Sequence, residues 1–168
     1  LYQDAAIGDT VWLDADGDGI QDPEEDPIPG VTVRLYAANG LVVDSTTTDG
    51  DGRYGFSGLV PGDYSVGFVT PDGMIPTQMN AGHDRTVDSD VDRETGLTSV
   101  TTLTSLEHEP YWVAGFTTPA SVGNYVWLDV NRDGIKDDSE AGVGGITVVL
   151  LDESGLEIAQ ISTDRDGF

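Results

Sequence analysis

Residues 12–25 read WLDADGDGIQDPEE, with six acidic side chains within fourteen residues, immediately after a short apolar run of strand type. The pattern returns as WLDVNRDGIKDDSE at 127–140. Residues 7–53 align without gaps to 122–168. Gly8 pairs with Gly123, Trp12 with Trp127, and Asp18-Gly19-Ile20 with Asp133-Gly134-Ile135. Gly30, Val33, Leu35, Gly40-Leu41 and Thr48-Asp49 pair with Gly145, Val148, Leu150, Gly155-Leu156 and Thr163-Asp164. Repetition at a fixed register marks a repeated structural unit. The expected organisation is one whole domain at 1–118 and the N-terminal part of a second of the same type at 119–168, joined at TTPAS (117–121).

In register, the opening stretch is Asp14-x-Asp16-x-Asp18-Gly19-Ile20-x-Asp22-x-x-Glu25. That is the spacing of a twelve-residue calcium loop, with ligands at positions 1, 3, 5, 9 and 12, glycine at 6 and a backbone carbonyl at 7. Ca²⁺ takes six to eight hard oxygens, and each position has a reason in that chemistry. Asp14, Asp16 and Asp18 can each offer a carboxylate oxygen, Gly19 permits the sharp turn, and Ile20 can offer its carbonyl. Asp22 can act directly or through water, and Glu25 is long enough to close the shell. The second copy keeps the scheme with Asp129, Asn131, Asp133, Gly134, Ile135, Asp137 and Glu140. Asp-Gly runs are also ordinary turn chemistry, and DGDG at 49–52 is read that way. Five ligand positions in register, twice, exceed what turn preference supplies. No flanking helices are apparent, so the loop is an EF-hand-type loop set into a β domain.

The strand signals are TVWL, VTVRLYA, LVVDSTTT, GDYSVGFVT, TSVTTLTS and YWVAGFTT, short segments rich in β-branched and aromatic residues. Pro, Gly and Asp clusters separate them, and Asn39-Gly40 marks a hairpin. Short strands at this spacing predict an all-β sandwich. Residues 78–97, QMNAGHDRTVDSDVDRETGL, are polar and are expected to form an insertion outside the core.

Composition narrows the function. Thirty-one acidic residues against seven basic ones give a net charge of −24, which disfavours nucleic acid and anionic membranes as partners and favours cations. Cysteine is absent, so neither disulfides nor thiolate metal sites are available. No apolar run is long enough for a membrane-spanning helix, and the first residues carry no signal-peptide pattern. The chain ends in STDRDGF, in the middle of the repeated pattern, and is expected to be a piece of a longer protein. His83 and His108 stand alone beside acids and are read as surface residues. Trp12 and Trp127 are read as core or metal-shielding residues, and Arg34 as solvent-facing. No nucleophile or phosphate-loop motif is present, and no carboxylate pair stands out for glycoside hydrolysis. The chain is expected not to be an enzyme.

IGDTVWLDADGDGIQDPEEDPIPGVTVRLY, followed by TTTDGDGRYGFSGLVPGDYSVGF, resembles the SdrD-type B repeat of bacterial cell-surface adhesins, related to Cna B-type (prealbumin-like) domains. The resemblance implies a Greek-key β-sandwich. It also implies a calcium-stiffened stalk module, arranged in tandem with adjacent repeats and located extracellularly, at the cell surface, cell wall or matrix. It further implies additional calcium sites, for which Asn80, Asp84, Asp88, Asp90 and Asp92 are the expected ligands. Lysine–asparagine crosslinks occur in related domains, but the only lysine is Lys136, so the first domain cannot form one within itself. Two other readings stand beside the stalk: an adhesin module that contacts a host protein or polysaccharide through residues 80–96, and a filament subunit completed by strands of a neighbouring copy.

Overall fold

The computed structural model describes residues 3–168 and forms two compact units, Leu1–Pro119 and Ala120–Phe168. Every regular element among the described residues is a strand. In the first unit these are β1 (Ala5–Ile7), β2 (Val11–Leu13), β3 (Thr32–Ala37), β4 (Val42–Thr47) and β5 (Phe56–Leu59). They continue with β6 (Gly62–Phe68), β7 (Ile75–Pro76), β8 (Thr101–Leu103), β9 (His108–Glu109) and β10 (Ala114–Thr117). The sheets have the orders β4-β3-β6-β8, β5-β1-β9 and β2-β10-β7. Pairing is antiparallel except for β1 with β9 and β2 with β10.

The six strand segments expected from sequence coincide with β2, β3, β4, β6, β8 and β10. β1, β5, β7 and β9 add four short strands that carry too few alternating residues to stand out. Strand β3 shows the governing pattern: Val33 and Leu35 are fully buried while Arg34 between them is exposed. The β3–β4 hairpin turns at Asn39-Gly40, with Gly40 at a φ of 78°, which glycine adopts without steric cost.

All three sheets feed one core. Val33, Leu35, Val66, Phe68 and Leu103 come from the four-stranded sheet and meet Ile7, Phe56, Val11, Ala114 and Phe116 from the other two. Each of these Val, Leu, Ile and Phe side chains contributes about 1.5–3 kcal/mol by leaving water. Tyr54 packs edge-on against Phe56 and Phe68, and its hydroxyl donates to the Trp112 carbonyl at 2.7 Å, 58 residues away.

Residues 78–97 correct one expectation. Asp88, Ser89, Asp90 and Val91 are all buried, and Val91 belongs to the core. Backbone bonds hold this segment inside: Asp90 N–H donates to Val113 O at 3.0 Å, and Ser89 N–H to Gly19 O at 3.1 Å. A polar composition reads as solvated, but here the polar backbone is paired internally, which removes the penalty for burying it. The centre of residues 80–96 is therefore not available as a contact surface.

In the second unit, β11 (Thr147–Leu151) and β12 (Glu157–Ser162) form a hairpin. Its register, Thr147↔Ser162 and Val148↔Ile161 with a bulge at Leu150/Leu151, reproduces Thr32↔Thr47, Val33↔Thr46 and the bulge at Leu35/Tyr36. Val148 and Leu150 are each 43% exposed, whereas their counterparts Val33 and Leu35 are at 0%. No helix of the described residues is long and apolar enough to cross a membrane.

Candidate metal centre

The first acidic loop leaves β2 and is shaped by its own carboxylates. Asp14 lies fully buried at the end of the strand, with its backbone N–H bonded to Phe116 O of β10. Its Oδ1 accepts Gly17 N–H at 2.7 Å, and its Oδ2 accepts Gly19 N–H at 2.9 Å and the hydroxyl of Thr77. Asp16 accepts Asp18 N–H at 3.2 Å, and Asp18 accepts Ile20 N–H at 2.8 Å. Glu25 closes the loop by accepting Ala15 N–H at 2.7 Å and Asp22 N–H at 3.0 Å. These bonds wind the chain so that carboxylate oxygens of Asp14, Asp16 and Asp18 lie within 4.8 Å of one another.

The second loop repeats in register each of the six bonds that the first makes between its own residues. Asp129 accepts Arg132 N–H at 2.6 Å and Gly134 N–H at 3.0 Å. Asn131 accepts Asp133 N–H at 3.0 Å, and Asp133 accepts Ile135 N–H at 2.8 Å. Glu140 accepts Val130 N–H at 2.8 Å and Asp137 N–H at 3.3 Å. The Asn131 amide also donates to Asp133 and Asp137, at 2.9 and 3.0 Å, which brings the ninth position to the third. Gly19 and Gly134 take φ values of 83° and 77°, as the turn at the sixth position requires.

The donor set suits a hard divalent cation. It consists of oxygen only, the carboxylates of the first loop converge, and no ion pair among the described residues reaches them. Three like charges within 4.8 Å repel one another, and a cation of matching hardness reverses that term.

The additional expected ligands are arranged differently. Asp84 and Asp92 are not buried, and each closes its own turn, Asp84 with Thr86 and Asp92 with Thr95. Asn80 takes a φ of 53° and bonds through its N–H to Ser89 O. Asp88 and Asp90 are buried; Asp88 Oδ1 has no hydrogen-bond partner among the described residues, and Asp90 Oδ2 accepts Val113 N–H at 3.2 Å. Burial pushes the Asp90 carboxyl up to about 7, with Asp88 and Asp9 adding to the rise against Val113 N–H and Arg85. Asp9 is itself pushed up to about 6 by burial. No three of the four aspartates come together as Asp14, Asp16 and Asp18 do, among the described residues. His83, His108 and Arg34 are exposed, and Trp12 is fully buried beside the loop.

Thr77, Val87 and Ser89 are contacts of the first loop that sequence did not reveal. They lie far along the chain and belong to no motif.

An all-β unit of short strands whose acidic loop and following hairpin recur further along the same chain defines a tandem-repeat class of module. A family model for the SdrD B-like domain matches residues 5–116 and 120–168, and the chain belongs to that family. It is 44% identical over 162 residues to serine-aspartate repeat-containing protein F of Staphylococcus epidermidis, covering 96% of this chain and 10% of that protein. It is 41% identical over 162 residues to serine-aspartate repeat-containing protein D of Staphylococcus aureus (strain Newman), covering 96% and 12%. The chain thus spans about a tenth of the length of these relatives. Among solved structures, the minor pilin GBS52 of Streptococcus agalactiae is similar with a TM-score of 0.47 at 14% identity, covering 74% of this chain and 48% of that one. The shaft pilin SpaA of Lactobacillus rhamnosus GG is similar with a TM-score of 0.41 at 12% identity, covering 99% and 67%.

Proposed function

We propose that the chain is a non-enzymatic, calcium-binding structural module from the stalk of an extracellular surface protein, folded as a Greek-key sandwich and stiffened by the ion. One observation carries this reading: all six side-chain-to-backbone bonds of the first loop recur in the second, 115 residues on (Asp14 to Asp129). Asp14, Asp16, Asp18, Ile20 O, Asp22 and Glu25 would hold one ion, and Asp129, Asn131, Asp133, Ile135 O, Asp137 and Glu140 another. Bound calcium supplies the counter-charge for these oxygens. The loop's own residues do the rest: Glu25 ties its end to Ala15, and Leu13 N–H reaches Asp26 O at 2.8 Å. Order in the loop thereby becomes order between β2 and the segment leading into β3. The unpartnered Oδ1 of buried Asp88, near Asp90, supports a further cation in the insertion, with Asn80, Asp84 and Asp92 at its margin.

Thermal unfolding with calcium and with chelator tests the reading. At calcium about 100 times the dissociation constant, each site adds about 2.7 kcal/mol. An unchanged melting curve overturns it. Calcium stoichiometry by calorimetry counts the sites.

A further inference from the structure

Asp14 is fully buried, whereas its counterpart Asp129 is half-buried, and Asp14 alone also holds a side-chain partner from outside its loop. Both accept two backbone amides of their own loop, but Asp14 Oδ2 also accepts the hydroxyl of Thr77, which lies 63 positions further along the chain. Asp14 and Thr77 are both fully buried. They flank the same strand: Asp14 N–H bonds to Phe116 O at 2.9 Å, and Thr77 N–H bonds to Gly115 O at 3.0 Å from the opposite side of β10.

The Thr77 side chain passes over β10 because residue 115 is glycine. A Cβ at Gly115 would lie 2.6 Å from Thr77 Cγ2 and 2.7 Å from Trp12 Cζ2, closer than real contacts allow. The gap at Gly115, the Thr77 methyl and the Trp12 ring therefore fit one another. They leave the Thr77 hydroxyl aimed at the first carboxylate of the loop.

We propose that Thr77 is a positioning residue for the first loop: reaching across the glycine gap of β10, it fixes the rotamer of the Asp14 carboxylate and so raises the loop's affinity for calcium. This rests on the calcium reading above. A hydroxyl bonded to a carboxylate in a site closed to water is among the stronger hydrogen bonds of a fold, and its loss leaves a buried acceptor short of a donor. The carboxylate then has more orientations to give up when a cation binds. The second loop has no such donor among the described residues, and so serves as an internal control.

The test uses the whole chain and follows the Gly19 and Gly134 amide resonances separately during a calcium titration. The variants are Thr77→Val, which keeps the shape, and the pair Thr77→Ala and Thr77→Ser, which differ only in the hydroxyl. The Val and Ala variants are expected to raise the half-saturating calcium concentration at Gly19 about tenfold, with Gly134 unmoved and the Ser variant close to the parent chain. If Thr77→Val does not fold, the Ala/Ser comparison decides alone. Equal half-saturation at Gly19 in Ala and Ser overturns the proposal, even if the melting temperature in chelator falls. A parent chain in which neither glycine responds to calcium overturns the calcium reading instead, and the present inference with it.

Discussion

Ile20 and Asp88 face each other across an isolated antiparallel bridge, flanked by Gln21 N–H to Val87 O at 2.7 Å and Ser89 N–H to Gly19 O at 3.1 Å. The acidic loop is therefore not a free surface hook. Its back is sewn to a segment that lies almost 70 residues away, and that segment is in turn bonded to the strand before Phe116. Whatever orders the loop orders this layer as well.

Gly19→Ala is expected to cost far more than Gly134→Ala. Both glycines have positive φ, so both substitutions incur about 1 kcal/mol of backbone strain. At Gly19 a Cβ would also meet Gln78 O at 2.5 Å and Ala81 Cβ at 2.8 Å, while at Gly134 nothing lies within 4 Å. Urea unfolding of the two variants in chelator should separate them by at least about 1 kcal/mol. Equal losses would mean that the insertion does not pack on the loop.

Glu25→Gln should leave the fold intact and weaken calcium binding at the first loop tenfold or more. The carboxylate accepts two amide protons, from Ala15 and Asp22, and an amide side chain would turn a donor toward one of them. It also removes one charge from the proposed coordination shell. Calorimetric titration reads the change; an unaltered affinity would take Glu25 out of the ligand set.

Acid should stabilise the calcium-free chain. Burial raises the Asp9 carboxyl from 3.8 to about 6 and is the main cause of the rise at Asp90 to about 7. Folded protein then holds more protons than unfolded chain between about pH 4 and 7, so stability falls as pH rises through that window. Melting in chelator should show a higher midpoint at pH 5 than at pH 7.5, and Asp9→Asn should reduce the difference. A rising midpoint from pH 5 to 7.5 would contradict the assignment.

Tyr54→Phe is expected to lower the stability of the first unit by about 1–2 kcal/mol. The ring contacts with Phe56 and Phe68 survive, but the Trp112 carbonyl loses its buried donor. Denaturant titration at neutral pH measures it, and a loss below a few tenths would assign the carbonyl another partner.

The winding of both acidic loops on their own carboxylates, the hairpin turn at Asn39-Gly40 and the alternation Val33–Arg34–Leu35 were legible in sequence, and the reason is range. Asp14 bonds to Gly17 and Gly19, Asp18 to Ile20, and Glu25 to Asp22 and Ala15. Interactions across two to ten residues leave a fixed spacing, and a second copy of that spacing separates it from turn chemistry. The short strands β1, β5, β7 and β9 left no such trace, since two to four residues carry too little periodicity to count.

The burial of residues 88–91 and the reach of Thr77 to Asp14 came from elsewhere. The composition of DSDV reads as solvated, because side-chain polarity says nothing about whether a distant backbone will supply the missing hydrogen bonds. Val113 and Gly19 supply them here, and Gly115 clears the path for Thr77 only once β2, β10 and β7 lie side by side. Local spacing is written along the chain, whereas these contacts exist only after the strands that carry them have been folded together.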